Sequence, residues 1–196
     1  SHDPKLISLL NEGIEDYYPT ARLFALQGLQ EISSAAALSA ARKLTNDPDI
    51  WVRSSAVEIL GDEGGIEVLD EIRGYLESYD VPMKLAASAG LIKLGKNEYI
   101  GEVLKPLTHP IPDRRYQAIG HLGKIGGKKV LPHLIKLFDH SEPEMVFYSL
   151  KALEGKATPK MLPKLKELVK HSNPSIRQAA AMAMGNLKNA EADLIP

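Results

Sequence analysis

The sequence of 196 residues contains no cysteine, which excludes disulfide bonds, thiolate metal sites and cysteine nucleophiles. It also lacks a run of about 18 apolar residues, the length that a membrane-spanning helix needs. The first residues do not show the charged and apolar segments of a signal peptide. These absences predict a cytoplasmic protein with no membrane segment.

An excess of either charge is also missing, because 24 lysine and arginine residues face 25 aspartate and glutamate residues, which gives a formal charge of −1. Such a balance gives the chain no general electrostatic attraction to nucleic acids or anionic membranes. Two lysine clusters keep nucleic-acid binding open as an alternative, although we expect solvated helix faces there. They consist of Lys124, Lys128 and Lys129, and of Lys160, Lys164, Lys166 and Lys170.

Aromatic residues make up only 6% of the chain, whereas repetition is abundant, since six blocks align at a step of 31 residues without a gap. One column reads Arg22, Arg53, Lys84, Arg115, Val146 and Arg177. The column three residues later is alanine in five blocks, and the column seven residues later is leucine in five. A period of this length is the signature of a repeat array, in which each unit buries its apolar face against its neighbours.

Each block has the pattern of two amphipathic helices joined by a tight turn. Between Gly127 and Gly155, one apolar stripe at helical spacing precedes the break at Pro143, and a second stripe follows it. Glu142 is expected to cap the helix that begins there. The second helices are predicted to begin near Pro19, Asp49, Val81, Pro112, Pro143 and Pro174. Prolines inside the first helices predict kinks at Pro106, Pro132 and Pro163.

Two segments carry a family resemblance. Asp-Pro-Asp-Ile-Trp-Val-Arg-Ser-Ser-Ala-Val-Glu-Ile-Leu-Gly at 47–61 and Ser-Asn-Pro-Ser-Ile-Arg-Gln-Ala-Ala-Ala-Met-Ala-Met-Gly at 172–185 resemble the HEAT-like repeat of the phycobilisome-lyase type. This resemblance implies an all-α fold, a right-handed α-α superhelix (a HEAT-like solenoid) of about six two-helix repeats. The repeats are predicted at 4–33, 35–63, 65–95, 97–126, 128–156 and 158–188. A truncated seventh repeat at 190–196 predicts that this single domain is a fragment of a longer protein.

The family that the chain resembles includes adaptor scaffolds, bilin lyase subunits, a di-iron deoxyhypusine hydroxylase and distant DNA glycosylases. The hydroxylase needs His-Glu dipeptides, and the sequence contains none. A glycosylase needs a strongly basic face and a catalytic carboxylate beside aromatic residues. Asp49 near Trp51 is the only pair in the sequence that resembles this arrangement. The sequence also lacks a G-x-S-x-G nucleophile motif and a phosphate-binding loop. We therefore predict no enzymatic activity and no cofactor.

The arginine column is predicted to be structural. Its members lie in the first turn of a helix, where the helix dipole disfavours a cation and a nearby carboxylate must compensate. Asp16, Asp47 or a carboxylate of the adjacent repeat could do so, and a row that binds anions is the alternative. The predicted structural ladder consists of Arg22, Arg53, Arg115 and Arg177.

Three histidines also share a column: His109, His140 and His171. Equivalent positions on stacked helices lie about 8–10 Å apart, whereas the ligands of one zinc ion lie about 2.1 Å from it. We therefore predict no metal site there, and expect these histidines to complement the carbonyl ends of the first helices.

The remaining candidates for function lie on the second helices, which the resemblance places on the concave side of the array. Large apolar side chains at positions that point away from the core predict a contact surface, with packing between neighbouring helices as the alternative. The predicted partner-binding residues are Phe24, Trp51, Leu85, Tyr116, Phe147 and Tyr148. The predicted function is a non-catalytic scaffold that binds another protein or peptide. A bilin lyase-like maturation factor and a nucleic-acid-binding domain are the alternatives.

Overall fold

The computed structural model describes residues 4–192, apart from the side chains of residues 128, 186 and 188–192. This part of the chain consists of helices and connecting turns, without a β-strand, and the predicted all-α class is confirmed. None of the described helices is long and apolar enough to cross a membrane. The final helix continues to Ala192, and the predicted seventh repeat at Leu194, Ile195 and Pro196 lies outside the described residues.

The second helix of every repeat is a continuous α-helix. These helices are α2 Pro19–Ile32, α4 Ile50–Glu63, α6 Val81–Lys93, α8 Pro112–Ile125, α10 Pro143–Ala152 and α12 Pro174–Ala192. Five begin at the predicted residue because proline is favoured in the first helical turn, where its missing N–H is no loss. Asp49 instead caps α4, since its carboxylate accepts the N–H groups of Trp51 and Val52. The predicted cap at Glu142 is wrong: its side chain accepts no N–H of α10.

The first helices are less regular than the second helices. Two are single α-helices, α1 Pro4–Gly13 and α3 Ser34–Leu44. The later ones combine short α-helices, namely α5 Leu69–Gly74, α7 Ile100–Leu104, α9 Gly127–Lys136 and α11 Leu162–Leu168, with 3₁₀ segments at Gly65–Val68, Tyr75–Glu77, Asn97–Tyr99, Lys105–Thr108, Leu137–Asp139 and Pro159–Met161. The 3₁₀ segments mark places where the regular α-helical hydrogen bonding changes.

Proline contributes to this irregularity at two of the three predicted sites. Pro106 lies in the first turn of a 3₁₀ segment and Pro163 in the first turn of α11, so each lies at a change of helix type. Pro132 differs, because α9 continues past it to Lys136 before the 3₁₀ segment begins.

Contacts divide the chain into two compact units, which we call unit 1 (Ser1–Glu102) and unit 2 (Val103–Pro196). Their charges differ strongly. Unit 1 has 17 acidic and 9 basic side chains, a formal charge of −8, whereas unit 2 has 8 acidic and 15 basic side chains, a formal charge of +7. The balance of the whole chain therefore hides an acidic unit and a basic one, each of which carries its own electrostatic preference.

Each unit has an apolar core in which small residues allow close helix packing. In unit 1, a Cβ atom added to Gly61 of α4 would lie 2.6 Å from the Cα atom of Gly90 of α6. In unit 2, a Cβ atom added to Gly123 of α8 would lie 2.8 Å from the Cβ atom of Ala152 of α10. The surrounding fully buried side chains are Leu26, Leu29, Leu60, Ile72 and Leu91 in unit 1, and Ile119, Leu122, Leu134, Met145 and Leu150 in unit 2.

Candidate functional site

The turn between the two helices has the same hydrogen-bond design in all six repeats. One side chain in each turn accepts the backbone N–H two residues further on, at 2.7–3.1 Å. The acceptors are Asp16, Asp47, Ser78, His109, His140 and His171. The three histidines accept through Nδ1 and so order the start of the second helix. This role differs from the expected one, which was to complement the carbonyl end of the first helix. Within residues 4–192, no three His, Asp or Glu side chains are arranged to hold a metal ion.

The arginine column completes this turn. In four repeats Nη1 donates to the carbonyl oxygens five and six residues earlier, at 2.6–3.2 Å. The four residues are Arg22, Arg53, Arg115 and Arg177. Each arginine therefore stabilises the turn that precedes it through Nη1. This contact is the same in all four repeats, although the partners of Nε and Nη2 differ. Val146 takes the equivalent position in the fifth repeat and is buried.

Three of these arginines also bind a carboxylate of the following repeat. The pairs are Arg22 with Asp47, Arg53 with Asp80, and Arg115 with Glu142. Compensation for the helix dipole thus comes from the adjacent repeat, while Asp16 contributes its carbonyl oxygen to Arg22. The carboxylate belongs to the turn acceptor itself where that residue is Asp47, and to the residue two positions later in the other two pairs.

The pair of Arg22 and Asp47 is the most buried. Nε and Nη2 of Arg22 each lie 2.6 Å from a carboxylate oxygen, and the two side chains are 9% and 3% exposed. Burial by itself would raise the pKa of Asp47, but the hydrogen bonds from Arg22 and from the Asp49 N–H outweigh it and lower that pKa. The carboxylate is therefore held in its charged form.

The predicted contact residues of unit 2 form what we call the aromatic cluster: Tyr116 of α8 with Phe147 and Tyr148 of α10. The rings of Tyr116 and Tyr148 are stacked, with centroids 4.4 Å apart and planes at 26°. Phe147 and Tyr148 meet edge to face at 5.4 Å. Tyr116 and Phe147 are half-buried, and Tyr148 is 39% exposed. The cluster therefore combines a packed base with an accessible ring.

Glu142 holds Tyr116 in place. The Tyr116 hydroxyl donates to Oε1 of Glu142 at 2.6 Å, and Nη2 of Arg115 donates to both carboxylate oxygens at 2.7 and 2.8 Å. These bonds explain why Glu142 does not cap α10, because its carboxylate is directed to the preceding repeat.

The same bonds set the protonation states of the group. The hydrogen bond to Glu142, followed by burial and the negative charge of Glu142, raises the pKa of Tyr116 to about 12. The hydrogen bonds from Arg115 and then Tyr116 lower the pKa of Glu142. At neutral pH the protonated phenol of Tyr116 therefore donates to the Glu142 carboxylate, and the guanidinium cation of Arg115 balances the charge of that carboxylate. The exposed side of the cluster consists of aromatic ring surface.

The three predicted contact residues of unit 1 differ in exposure. Phe24 on α2 is 69% exposed, and Trp51 in the first turn of α4 is 51% exposed. Leu85 is only 3% exposed, so the prediction that it lies on a contact surface is wrong. The reason is that α6 is apolar on nearly every side and is enclosed from Leu85 through Ile92, which a helix with one solvated face is not.

Three exposed tyrosines of unit 1 were not predicted from the sequence. Tyr17, Tyr18 and Tyr79 are 87%, 65% and 103% exposed, and the rings of Tyr17 and Tyr18 meet edge to face at 5.2 Å. A signal for them exists in the repeat alignment. Tyr17 and Tyr79 occupy the same turn column two periods apart, where Pro48 and Pro110 also stand.

Unit 2 also has an apolar groove between α11 and α12, with a volume of about 590 Å³. Its lining includes Leu162 of α11, Val169 just after that helix, and Ala181 and Met184 of α12. The sequence did not point to this groove, because Ala181 and Met184 occupy columns that are buried in the other five repeats.

Three family models match parts of the chain. A model of HEAT repeats matches residues 4–83, a PBS lyase HEAT-like repeat matches residues 114–140, and a HEAT repeat matches residues 161–189. No curated protein matches the sequence.

Several solved structures are similar to the chain. An engineered protein is 17% identical, with 95% of this chain and 98% of that chain covered and a TM-score of 0.45. Human deoxyhypusine hydroxylase in complex with glycerol is 16% identical, with 95% and 86% covered and a TM-score of 0.46. A computationally designed armadillo repeat protein for modular peptide recognition is 19% identical, with 94% and 99% covered and a TM-score of 0.43. Similarity at this level carries no functional argument.

Proposed function

The chain belongs to the HEAT-like repeat proteins, and we propose that it is a non-catalytic scaffold that binds a protein or peptide segment through its second helices. The observation that carries this proposal is the aromatic cluster of unit 2. Aromatic rings that are held rigidly and remain partly exposed are the residues that dominate binding energy at protein interfaces. The partner is expected to present an apolar or aromatic side chain to Tyr148.

The cluster is suited to binding because its geometry exists before the partner arrives. Tyr116 is fixed by Glu142 at one end and by the ring of Tyr148 on its face. Little side-chain entropy is then lost when a partner docks, and the ring surface removed from water contributes directly to affinity. Arg115 supports this arrangement, because its guanidinium carbon lies 5.9 Å from the centre of the Tyr116 ring.

A small depression lies between α10 and α12, about one helical turn along α10 from Tyr148. It is lined by Leu150, Lys151, Glu154 and Met182, among others, and Met182 is 44% exposed. Lys151 lies one helical turn after Tyr148 and pairs with Glu154 at 2.7 Å, so the apolar floor has a charged rim. An apolar centre with a polar rim is the usual composition of an interface.

The test begins with peptides selected from a random library on the immobilised protein. Their affinities are measured by fluorescence anisotropy for the wild type, Tyr148→Ala and Phe147→Ala, with Tyr17→Ala as the matched control. We expect a class of peptides whose binding weakens by about tenfold in the first two variants and is unchanged in the control. Circular dichroism and thermal unfolding must show that the variants stay folded. The proposal fails if no selected peptide depends on Tyr148 or Phe147.

A bilin lyase-like maturation factor is the second candidate, favoured by the PBS lyase HEAT-like repeat at residues 114–140, which includes Tyr116. A tetrapyrrole stacked on the aromatic cluster would change its absorbance spectrum. We expect a shifted spectrum on mixing under this candidate, reduced by Tyr148→Ala, and an unshifted spectrum eliminates it.

A further inference from the structure

A second surface lies in unit 1, where three consecutive turns carry exposed aromatic residues. We define the turn edge of unit 1 as residues 15–18, 46–51 and 77–80. Its aromatic members, Tyr17, Tyr18, Trp51 and Tyr79, are all more than half exposed. Tyr79 is fully exposed, so its ring adds nothing to the core of the unit. Large exposed aromatic side chains that recur in neighbouring turns indicate an interaction surface.

The turn edge is also acidic. Its three segments contain six carboxylates and neither lysine nor arginine: Glu15, Asp16, Asp47, Asp49, Glu77 and Asp80. Arg22 pairs with Asp47 and Arg53 with Asp80, and Lys43 lies 3.9 Å from Glu15, so three of the six carboxylates have a cationic partner. The excess of negative charge agrees with the formal charge of −8 of the whole unit. A purely apolar partner would gain nothing from this negative charge, whereas a basic partner would be attracted by it.

A cleft of about 590 Å³ opens between the second and third turns of this edge. Its lining includes Pro48 from one turn and Glu77, Ser78 and Asp80 from the next, and also Arg53, whose guanidinium group pairs with Asp80. A long basic side chain can enter such a cleft with its methylene groups along apolar atoms and its charged end near Glu77, since Asp80 is already paired with Arg53.

We propose that the turn edge of unit 1 binds an extended basic segment of a partner protein, with lysine or arginine side chains against the exposed aromatic rings. Cations are attracted to the faces of tryptophan and tyrosine rings, and the surrounding carboxylates add to that attraction. The proposal is independent of the aromatic cluster, because it rests on residues of unit 1 alone.

The geometry of the repeats predicts the spacing of the basic residues. Equivalent positions on neighbouring repeats lie about 8–10 Å apart, and an extended chain advances about 3.3 Å per residue. One basic side chain in every three residues therefore matches one turn each. A segment of about seven residues extends from the turn of Tyr17 to that of Tyr79.

Trp51 supplies a direct measurement, because it is the only tryptophan of the chain and lies on the turn edge. Its fluorescence is followed while the full chain is titrated with a peptide of three Lys-Gly-Ser units. The controls are three Glu-Gly-Ser units and a peptide of the same composition with its three lysines adjacent. We expect a saturable change with the spaced lysine peptide, weaker binding of the clustered one and none of the acidic one. The change should diminish strongly at about 0.5 M salt, where exposed charges are screened.

Variants assign the binding to the turn edge. Tyr79→Ala is expected to weaken binding of the spaced lysine peptide about threefold to fivefold, and Glu77→Gln is expected to weaken it about twofold. Tyr79→Phe keeps the ring and should bind as the wild type does. Phe24→Ala removes an exposed ring of the same unit outside the turn edge, and Tyr148→Ala alters the aromatic cluster, so neither should change the affinity.

Three results would overturn the proposal: no response of Trp51 to the spaced lysine peptide, equal affinity for the acidic peptide, or no effect of Tyr79→Ala. The basic unit 2 of a second copy is the competing occupant. Sedimentation velocity at low and high salt detects it, and salt-sensitive self-association that Tyr79→Ala abolishes would replace the peptide proposal. Loss of this binding leaves the response of the aromatic cluster unchanged, so failure of one proposal is distinct from failure of the other.

Discussion

Two turns of the molecule, one in each unit, make the same set of hydrogen bonds with different residues. In unit 1 Asp47 accepts the Asp49 N–H and also binds Arg22 through its carboxylate. In unit 2 these tasks are divided, since His140 accepts the Glu142 N–H and the carboxylate of Glu142 binds Arg115. The backbone turn is preserved although its residues are not.

The candidate site of unit 2 depends on this division of tasks together with Tyr116. Asp47 uses both oxygens for structural bonds and is almost completely buried. Glu142 does not order its own turn, and it accepts the hydroxyl of Tyr116 in addition to Arg115. A column that is purely structural in one repeat thus positions an exposed aromatic cluster in another. Ser78 and Asp80 divide the same tasks in unit 1, but Ser54 follows Arg53 where Tyr116 follows Arg115, so the tyrosine makes the difference.

The largest effect is expected when the buried pair of unit 1 is broken. Asp47→Ala leaves Arg22 buried without its charge partner, so we expect a loss of about 3–5 kcal/mol in the free energy of unfolding. Asp80→Ala breaks a pair with side chains 20% and 31% exposed, and should lose about 1 kcal/mol or less. Guanidinium unfolding monitored by circular dichroism measures both. Equal losses would show that burial does not separate these two pairs.

The next effect concerns the close approach of helices. Gly61→Ala places a methyl group against the backbone of Gly90, and we expect a loss of about 1–3 kcal/mol because α4 and α6 must separate. Gly120→Ala in unit 2 is the matched control, since its added Cβ meets nothing within 4 Å. That change should stabilise the fold by about 0.4–1 kcal/mol through the unfolded state. Thermal unfolding of the two variants measures both changes. If Gly61→Ala and Gly120→Ala change the stability in the same direction, close packing at Gly61 is not what limits this position.

A smaller effect tests the turn acceptors of unit 2. His140→Ala leaves the Glu142 N–H without its acceptor and should lose about 1 kcal/mol of stability. His140→Asn supplies an oxygen in place of Nδ1 and should recover most of that loss, as an Asx turn does. Chemical unfolding of the wild type and the two variants measures the difference. An asparagine variant as unstable as the alanine variant would mean that the imidazole ring itself matters.

A further prediction concerns the titration of Tyr116 and Glu142. Tyr116, whose pKa is raised to about 12, favours the folded state fully below the ordinary tyrosine value of about 10 and loses this contribution as the pH rises through 12. Glu142 has a lowered pKa, so its contribution is present above the ordinary carboxyl range and is lost as the pH falls through its value in the folded protein.

Ultraviolet absorbance of tyrosinate measures this titration. In Glu142→Gln the component that ionises near pH 12 should move towards about 10, the ordinary tyrosine value. Tyr116→Phe identifies the component by removing it. If the high-pH component persists in Glu142→Gln, the carboxylate is not what raises the pKa of Tyr116.

The sequence predicted most of the local structure, because the signals that begin and end helices are local. Pro19, Pro112, Pro143 and Pro174 begin second helices as expected, and Gly126 and Gly155 have positive φ angles after α8 and α10. The exposure of the predicted contact residues was predicted less well. Exposure of Tyr148 and Phe24 and burial of Leu85 depend on which neighbouring helices cover each position, and a repeat column does not contain that information.

By itself, the sequence determined the period, the helical pairs and the all-α class, since all of these follow from residue type and spacing along the chain. Only the tertiary structure decided that Glu142 binds Arg115 and Tyr116 and does not cap α10, that Leu85 is buried, and that Tyr17 and Tyr79 are exposed. The physical reason is that hydrogen bonds and burial between repeats join residues about 26 or more positions apart. Local propensity acts over about one helical turn and does not choose among such partners.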